Sequence, residues 1–183
     1  MDHALEHLNR LSAHEARREF LKCCGSENWA KRMVAERPFA DVAELLGKAD
    51  HVWQSLEAAD WLAAFRSHPK IGEQKAAEKV APEAQAWSEA EQAGTRAAAP
   101  ETTQALAAGN REYEQRFGYI FIVCATGKTA AEMLAILRER LNNDPEQELH
   151  VAAEEQRKIT RIRMGKSLES GVGSRESGSG TCS

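Results

Sequence analysis

Aromatic side chains make up only 6% of this 183-residue chain, and no stretch of 18 consecutive apolar residues occurs. A chain of that kind has no segment suited to a membrane-spanning helix. Positive charge is also in deficit: 24 Lys and Arg against 28 Asp and Glu leave a formal net charge of −4. No net field would draw in a phosphate backbone, so nucleic acid is not expected as a partner. Cysteine is sparse, and Cys23, Cys24, Cys124 and Cys182 show no C-x-x-C spacing. That argues against a zinc finger or a disulfide framework and for thiols of a reducing compartment. The opening residues, MDHALEHLNRL, lack the apolar stretch of a signal peptide, and the expected location is the cytoplasm.

What remains is an ordinary globular balance, 42% hydrophobic and 28% charged, on a length that suits one domain. The periodicity is helical almost throughout. Leu5, Leu8 and Leu11 suit a short first helix. Ser12 with Glu15 reads as a capping box opening a second, with Ala16, Phe20 and Cys24 on one face before Gly25. Trp29, Met33 and Val34 suggest a third helix, stopped at Pro38. Asp41 with Glu44 opens a fourth, whose stripe is Leu45, Ala49, Val52, Trp53 and Leu56. Asp60 is expected to cap a short helix carrying Trp61 and Phe65. Further helices are expected over 82–93, over 101–117, from the Thr129–Glu132 box to Leu141, and over 146–165. The fold class is therefore all-α, a single-domain bundle of about eight helices spanning residues 1–166. Of residues 167–183, ten of seventeen are Ser or Gly, which predicts a disordered tail that packs against nothing.

One run breaks the pattern. Tyr119 to Ala125 (YIFIVCA) is β-branched and aromatic like a buried strand, yet no partner strand is evident. If it is extended, its N–H and C=O groups need other partners, a polar ligand among the possibilities; the alternatives are a buried helix or a short hairpin. Gly127-Lys128-Thr129 after this run imitates a phosphate-binding loop, but Ile122 stands where that loop requires glycine, so nucleotide binding is not expected.

Among the histidines, His3 and His7 have a metal-chelating spacing with Glu6 beside them, but a solvated face explains them better. His14, His51 and His150 fall among charges and are left unassigned. His68 stands in the loop SHPKIG, residues 67–72, where Pro69 and Gly72 exclude a helix. A loop histidine there is either catalytic or simply superficial. On the helix over 82–93, Ser88 neighbours Glu91 and Gln92 beside Trp87, either as a binding face or as a solvated one. Glu91 would have a raised pKa if that face is buried. On the last helix, Leu149, Ala153, Gln156, Ile159 and Arg163 share an apolar sector. Arg163 therefore needs an anion, either an internal carboxylate such as Glu91 or a bound acid.

Taken together, His68-Pro69-x-Ile71-Gly72, Ser88-x-x-Glu91-Gln92-x-Gly94, Tyr113-Glu114-x-x-Phe117-Gly118-Tyr119-x-Phe121-Ile122-Val123-Cys124-Ala125-x-Gly127-Lys128, Leu141-x-Asn143 and Glu155-x-x-Lys158-Ile159-x-x-x-Arg163 resemble the 2-oxo-4-hydroxy-4-carboxy-5-ureidoimidazoline (OHCU) decarboxylases of urate degradation. The resemblance implies an all-α homodimer that takes OHCU, a small-molecule substrate, to (S)-allantoin and carbon dioxide with no metal and no organic cofactor. It implies catalytic roles for His68 and Glu91. Substrate contacts would come from Pro69, Ser88, Gln92 and Arg163, and from the backbone of Phe121, Ile122, Val123, Cys124 and Ala125. His68, at an ordinary pKa of about 6.5, would deliver a proton to one face of the ring. Arg163 is expected on the ureido or ring-carbonyl side or on Glu91, because clamping the departing carboxylate would stabilise the ground state. Two departures stand out: TRAAAP follows Gly94, and the Ser/Gly tail has no family counterpart. The alternative reading is a catalytically silent helical interaction protein, which would lack a pocket joining His68, Glu91 and Arg163.

Overall fold

The computed structural model describes residues 3–69, 82–91 and 98–173, with the last four residues of the second and third stretches described by backbone alone. These described residues form nine helices and no strand. The all-α expectation holds, and each of the nine corresponds to a helix read individually from the sequence.

Helix starts follow their caps. Between α1 (His3–Arg10) and α2 (Ala13–Cys23), Ser12 and Glu15 form the expected reciprocal box, Glu15 N–H to Ser12 Oγ at 3.2 Å and Ser12 N–H to the Glu15 carboxylate at 3.0 Å. Ser26 caps α3 (Glu27–Ala35) by accepting from Trp29 N–H at 3.2 Å. Asp41 caps α4 (Val42–Gln54), but the Glu44 carboxylate reaches back to Ala40 N–H at 2.7 Å rather than to Asp41. Asp60 is not the cap of α5 (Ala58–Phe65). That helix starts at Glu57, and Asp60 lies inside its first turn, accepting from Asn28 Nδ2 at 3.0 Å. The turn after α4 delivers the chain three residues early, so the carboxylate is used to tie α5 to α3 instead. α6 (Pro82–Glu91), α7 (Pro100–Phe117) and α8 (Ala130–Arg140), the last opened by the Thr129–Glu132 box, stand within a residue or two of expectation.

The core has two compartments. Phe20, Trp29, Met33, Leu45, Val52, Trp53 and Phe65 from α2 to α5 pack around Ala152, Ala153 and Ile159 of α9 (Pro145–Gly173). Two indoles anchor it, with Trp29 Nε1 donating to Ala49 O at 3.2 Å and Trp53 Nε1 to Ala153 O at 2.9 Å. The second compartment lies between α7 and α8: Leu106, Tyr113, Met133, Leu134 and Leu137.

The run at 121–125 is the partition between them. Ile122 and Cys124 belong to the first compartment, Phe121, Val123 and Ala125 to the second. This period of two marks an extended chain buried on both faces, neither helix nor hairpin. Side chains replace the missing ladder. Cys124 N–H donates to Glu155 Oε2 at 2.8 Å, Lys128 Nζ to Cys124 O at 2.7 Å, and Arg140 Nη1 to Ile122 O at 2.7 Å. Arg140 is itself buried against Glu148, with Nε to Oε1 at 2.7 Å, and Tyr113 Oη and Asn143 Nδ2 also donate to that carboxylate. Its guanidinium lies over the Phe121 ring, 4.8 Å from the centroid.

The boundary expected at residue 166 is corrected. α9 continues to Gly173, with Ser167 and Leu168 half-buried and Leu168 packed on the first compartment. A single apolar residue in register outweighs the local Ser/Gly content, because helix propensity is a weak bias beside a tertiary contact. The rest of the expected tail, residues 174–183, lies outside the described residues. Nor is any described helix long and apolar enough to cross a membrane.

Candidate active site

His68 is placed by the end of α5. Its N–H bonds Phe65 O at 3.1 Å, and Ser67 closes on Ala64 through N–H at 3.0 Å and Oγ at 2.6 Å. The loop presses against Gly25 after α2. A Cβ at Gly25 would lie 2.3 Å from Ser67 Oγ and 2.4 Å from Ser67 Cβ. Only glycine allows this approach, so the residue expected to end α2 also seats the His68 loop.

Helix α9 supplies the opposing wall. Gln156, Thr160 and Arg163 recur at helical spacing on one face and are all buried, at 0%, 4% and 3% exposure. The apolar sector expected there is real, with Ala153 and Ile159 buried beside them. Arg163 is close enough to His68, Cys23 and Cys24 for its charge to act on all three. His68 as a residue is half-buried, while its Nε2 is shut off from solvent.

The electrostatics overturn one expectation. His68 is not held near its ordinary pKa but pushed down to about 3: burial penalises the imidazolium most, the Arg163 charge adds to this, and the Gln156 side-chain amide, as an acceptor facing the ring, opposes both. At neutral pH the imidazole is neutral. Burial likewise pushes the Cys23 thiol up to about 12 and Cys24 to about 11, so both are protonated and inert.

The other expected residues fall as follows. Pro69 follows directly on His68 and is half-buried. α6 carries Ser88 and Glu91 beyond buried Ala84 and packs on α2, where Glu83 lies 3.5 Å from Lys22. The side chains of Ser88 and Glu91, and all of Gln92, lie outside the described residues. Phe121 to Ala125 are buried, and the carbonyls of Ile122 and Cys124 and the N–H of Cys124 engage protein side chains. Lys128 and Thr129 serve the Cys124 carbonyl and the α8 cap, which accounts for the false phosphate loop. His3 and Glu6 approach only to 3.9 Å on an exposed face, and among the described residues no three His, Cys, Asp or Glu side chains gather as a metal site.

Sequence reasoning passed over Gln156 and Thr160 at the site and Arg140 and Glu148 beneath the partition. Gln156 was detectable by the sign that exposed Arg163: a polar side chain inside an apolar sector.

The family model for OHCU decarboxylase matches residues 9–165. The chain is 37% identical over 148 residues to the uric acid degradation bifunctional protein TTL of Arabidopsis thaliana, covering 81% of this chain and 46% of that protein. It thus spans under half the length of that relative. It is 32% identical over 128 residues to the 2-oxo-4-hydroxy-4-carboxy-5-ureidoimidazoline decarboxylase of Amia calva, covering 70% of this chain and 73% of that one. Its fold superposes with a TM-score of 0.72 and 38% identity on a crystal structure of OHCU decarboxylase in the presence of (S)-allantoin, covering 83% of this chain and 98% of that chain. The family model over residues 9–165 and the 32% identity to the Amia calva decarboxylase show that the chain belongs to the OHCU decarboxylase family.

Proposed function

We propose that the chain decarboxylates OHCU to (S)-allantoin and carbon dioxide, without metal or organic cofactor. The carrying observation is the burial of His68 Nε2 against the Gln156–Arg163 face of α9. A helical interaction protein has no need to bury an arginine and the inner edge of a histidine together.

The substrate carries its carboxylate next to a ring C=N. When the C–CO2 bond breaks, its electron pair forms a C=C bond while the C=N pair moves onto the ring nitrogen, which takes a proton from solvent, so no cofactor is needed. As the carbon that lost CO2 becomes a carbonyl, its hydroxyl gives up a proton, and the neighbouring ring carbon must take one on a single face to yield one enantiomer. Neutral His68 is in the right state to accept the first proton and return one to that carbon. The incoming substrate anion offsets the Arg163 charge and part of the burial penalty, so His68 becomes a stronger base when substrate binds. Glu91 would orient the hydroxyl, with Ser88, Gln92, Pro69 and the backbone of 121–125 shaping the pocket. Arg163 would hold the ureido or ring-carbonyl side.

We place the chain in the cytoplasm as a homodimer. Free, buried Cys23, Cys24 and Cys124 support the reducing compartment, and the family resemblance supports the dimer, which sedimentation would check.

The test is optical, because spontaneous decay of the substrate gives racemic allantoin. With substrate generated from urate in situ, the protein should speed the appearance of (S)-allantoin circular dichroism, with or without chelator. His68→Asn should lower kcat by at least about 10²-fold. His51→Asn, at an exposed position, should cost less than about threefold. A racemic product at the spontaneous rate would overturn the reading.

A further inference from the structure

Gln156 is fully buried, and its amide is held from one side. Its Nε2 donates to Thr160 Oγ1 at 3.2 Å, while the Thr160 hydroxyl donates its single proton to the Gln156 backbone carbonyl at 3.0 Å. With that proton committed, Thr160 Oγ1 can only accept from the amide, so the end facing it is the NH2 group. The other end of the amide is therefore Oε1, a pure acceptor. It is buried with no hydrogen bond of full geometry, and so is His68 Nε2; the amide nonetheless faces the ring and favours its protonated form. Two orphaned buried polar atoms, each of the kind the other lacks, are costly unless they pair during function.

We infer that Gln156 is a positioning residue for His68, whose Oε1 accepts Nε2–H, holds the neutral imidazole in the Nε2–H tautomer and leaves Nδ1 as the working base. When Nδ1 takes the substrate proton, the positive charge spreads to Nε2–H, where the Gln156 carbonyl dipole meets it and opposes Arg163. Thr160 acts one step further back by fixing which way the amide points. This inference rests on His68 being the proton carrier, but the tautomer is measurable without turnover, so the two readings fail separately.

The experiment is long-range 1H–15N correlation on the full chain labelled with 15N-histidine, His68 being assigned by its loss in His68→Asn. The wild type at pH 7 should show His68 neutral with the proton on Nε2. Gln156→Met, which keeps the volume and removes the acceptor, should shift His68 toward a tautomer mixture and lower kcat by about 10- to 100-fold with KM little changed. Gln156→Glu should move the His68 titration upward. Thr160→Val, which frees the amide to turn, should also loosen the tautomer. A wild-type Nδ1–H tautomer, or an unchanged tautomer in Gln156→Met, would overturn the inference. If that variant does not fold, the wild-type tautomer and Thr160→Val decide it.

Discussion

A neutral histidine with its Nε2 shut off from solvent leaves a signature in the pH dependence of both stability and turnover. His68 has a pKa of about 3 in the folded chain against about 6.5 when unfolded. Between those values the unfolded state binds the extra proton, so stability falls as pH drops from about 6.5 toward 3 and is unaffected above that window. Urea midpoints at pH 7 and pH 5 should therefore differ in the wild type, and the difference should shrink in His68→Asn. The same shift predicts that kcat/KM, corrected for spontaneous decay, has no acid limb near pH 6.5. Such a limb would show that free His68 titrates normally. Arg163 belongs to this scale as well, since its charge depresses His68. It was readable in the sequence as an oddity on an apolar sector, whereas its effect on a histidine 95 residues away in the chain was not.

At the scale of elements, glycine and a buried ion pair set where the site residues stand. Gly25→Ala puts a methyl group into Ser67 and should cost about 1–3 kcal/mol, the usual range for overpacking. Because the displaced segment carries His68, kcat should fall along with melting temperature. Gly47→Ala is the matched control: nothing lies within 4 Å of the added carbon on α4, and helix propensity predicts stabilisation by up to about 1 kcal/mol. The partition at 121–125 depends on Arg140. Replacing it with Met strands the Glu148 carboxylate and the Ile122 carbonyl, and thermal or urea unfolding should report a loss of about 3–5 kcal/mol. If the loss is below about 1 kcal/mol, the partition is held by packing alone.

For the molecule as a whole, α9 is the organising element. It packs on α1, α2, α4 and α5, carries the polar row facing His68 and extends past the domain boundary expected from composition. Its last turns give a direct test. Ending the chain after residue 173 should leave the melting temperature unchanged, since what is removed is Ser/Gly-rich. Ending it after residue 166 removes half-buried Leu168 and should lower the melting temperature by roughly 2–4 °C, the shift expected for about 1 kcal/mol in a chain of this size. Equal melting temperatures for the two truncations would return residues 167–173 to the tail.

Local chemistry was enough to read the all-α class, the Ser12 and Thr129 capping boxes and the extended character of Tyr119 to Ala125 from sequence. Each depends on residues within a few positions of one another, where spacing and rotamer preference act directly. The family motifs likewise singled out His68 and Arg163. Tertiary structure alone decided that Asp60 ties α5 to α3, that Leu168 prolongs α9, and that Arg140, Glu155 and Lys128 stand in for a sheet ladder. It alone made His68 neutral. A pKa, a hydrogen-bond partner and a buried carboxylate are set by what surrounds a group in space. Many of those surroundings come from distant segments, 31 residues apart for the Cys124–Glu155 contact and 111 for Asp50–Arg161, which no local pattern encodes.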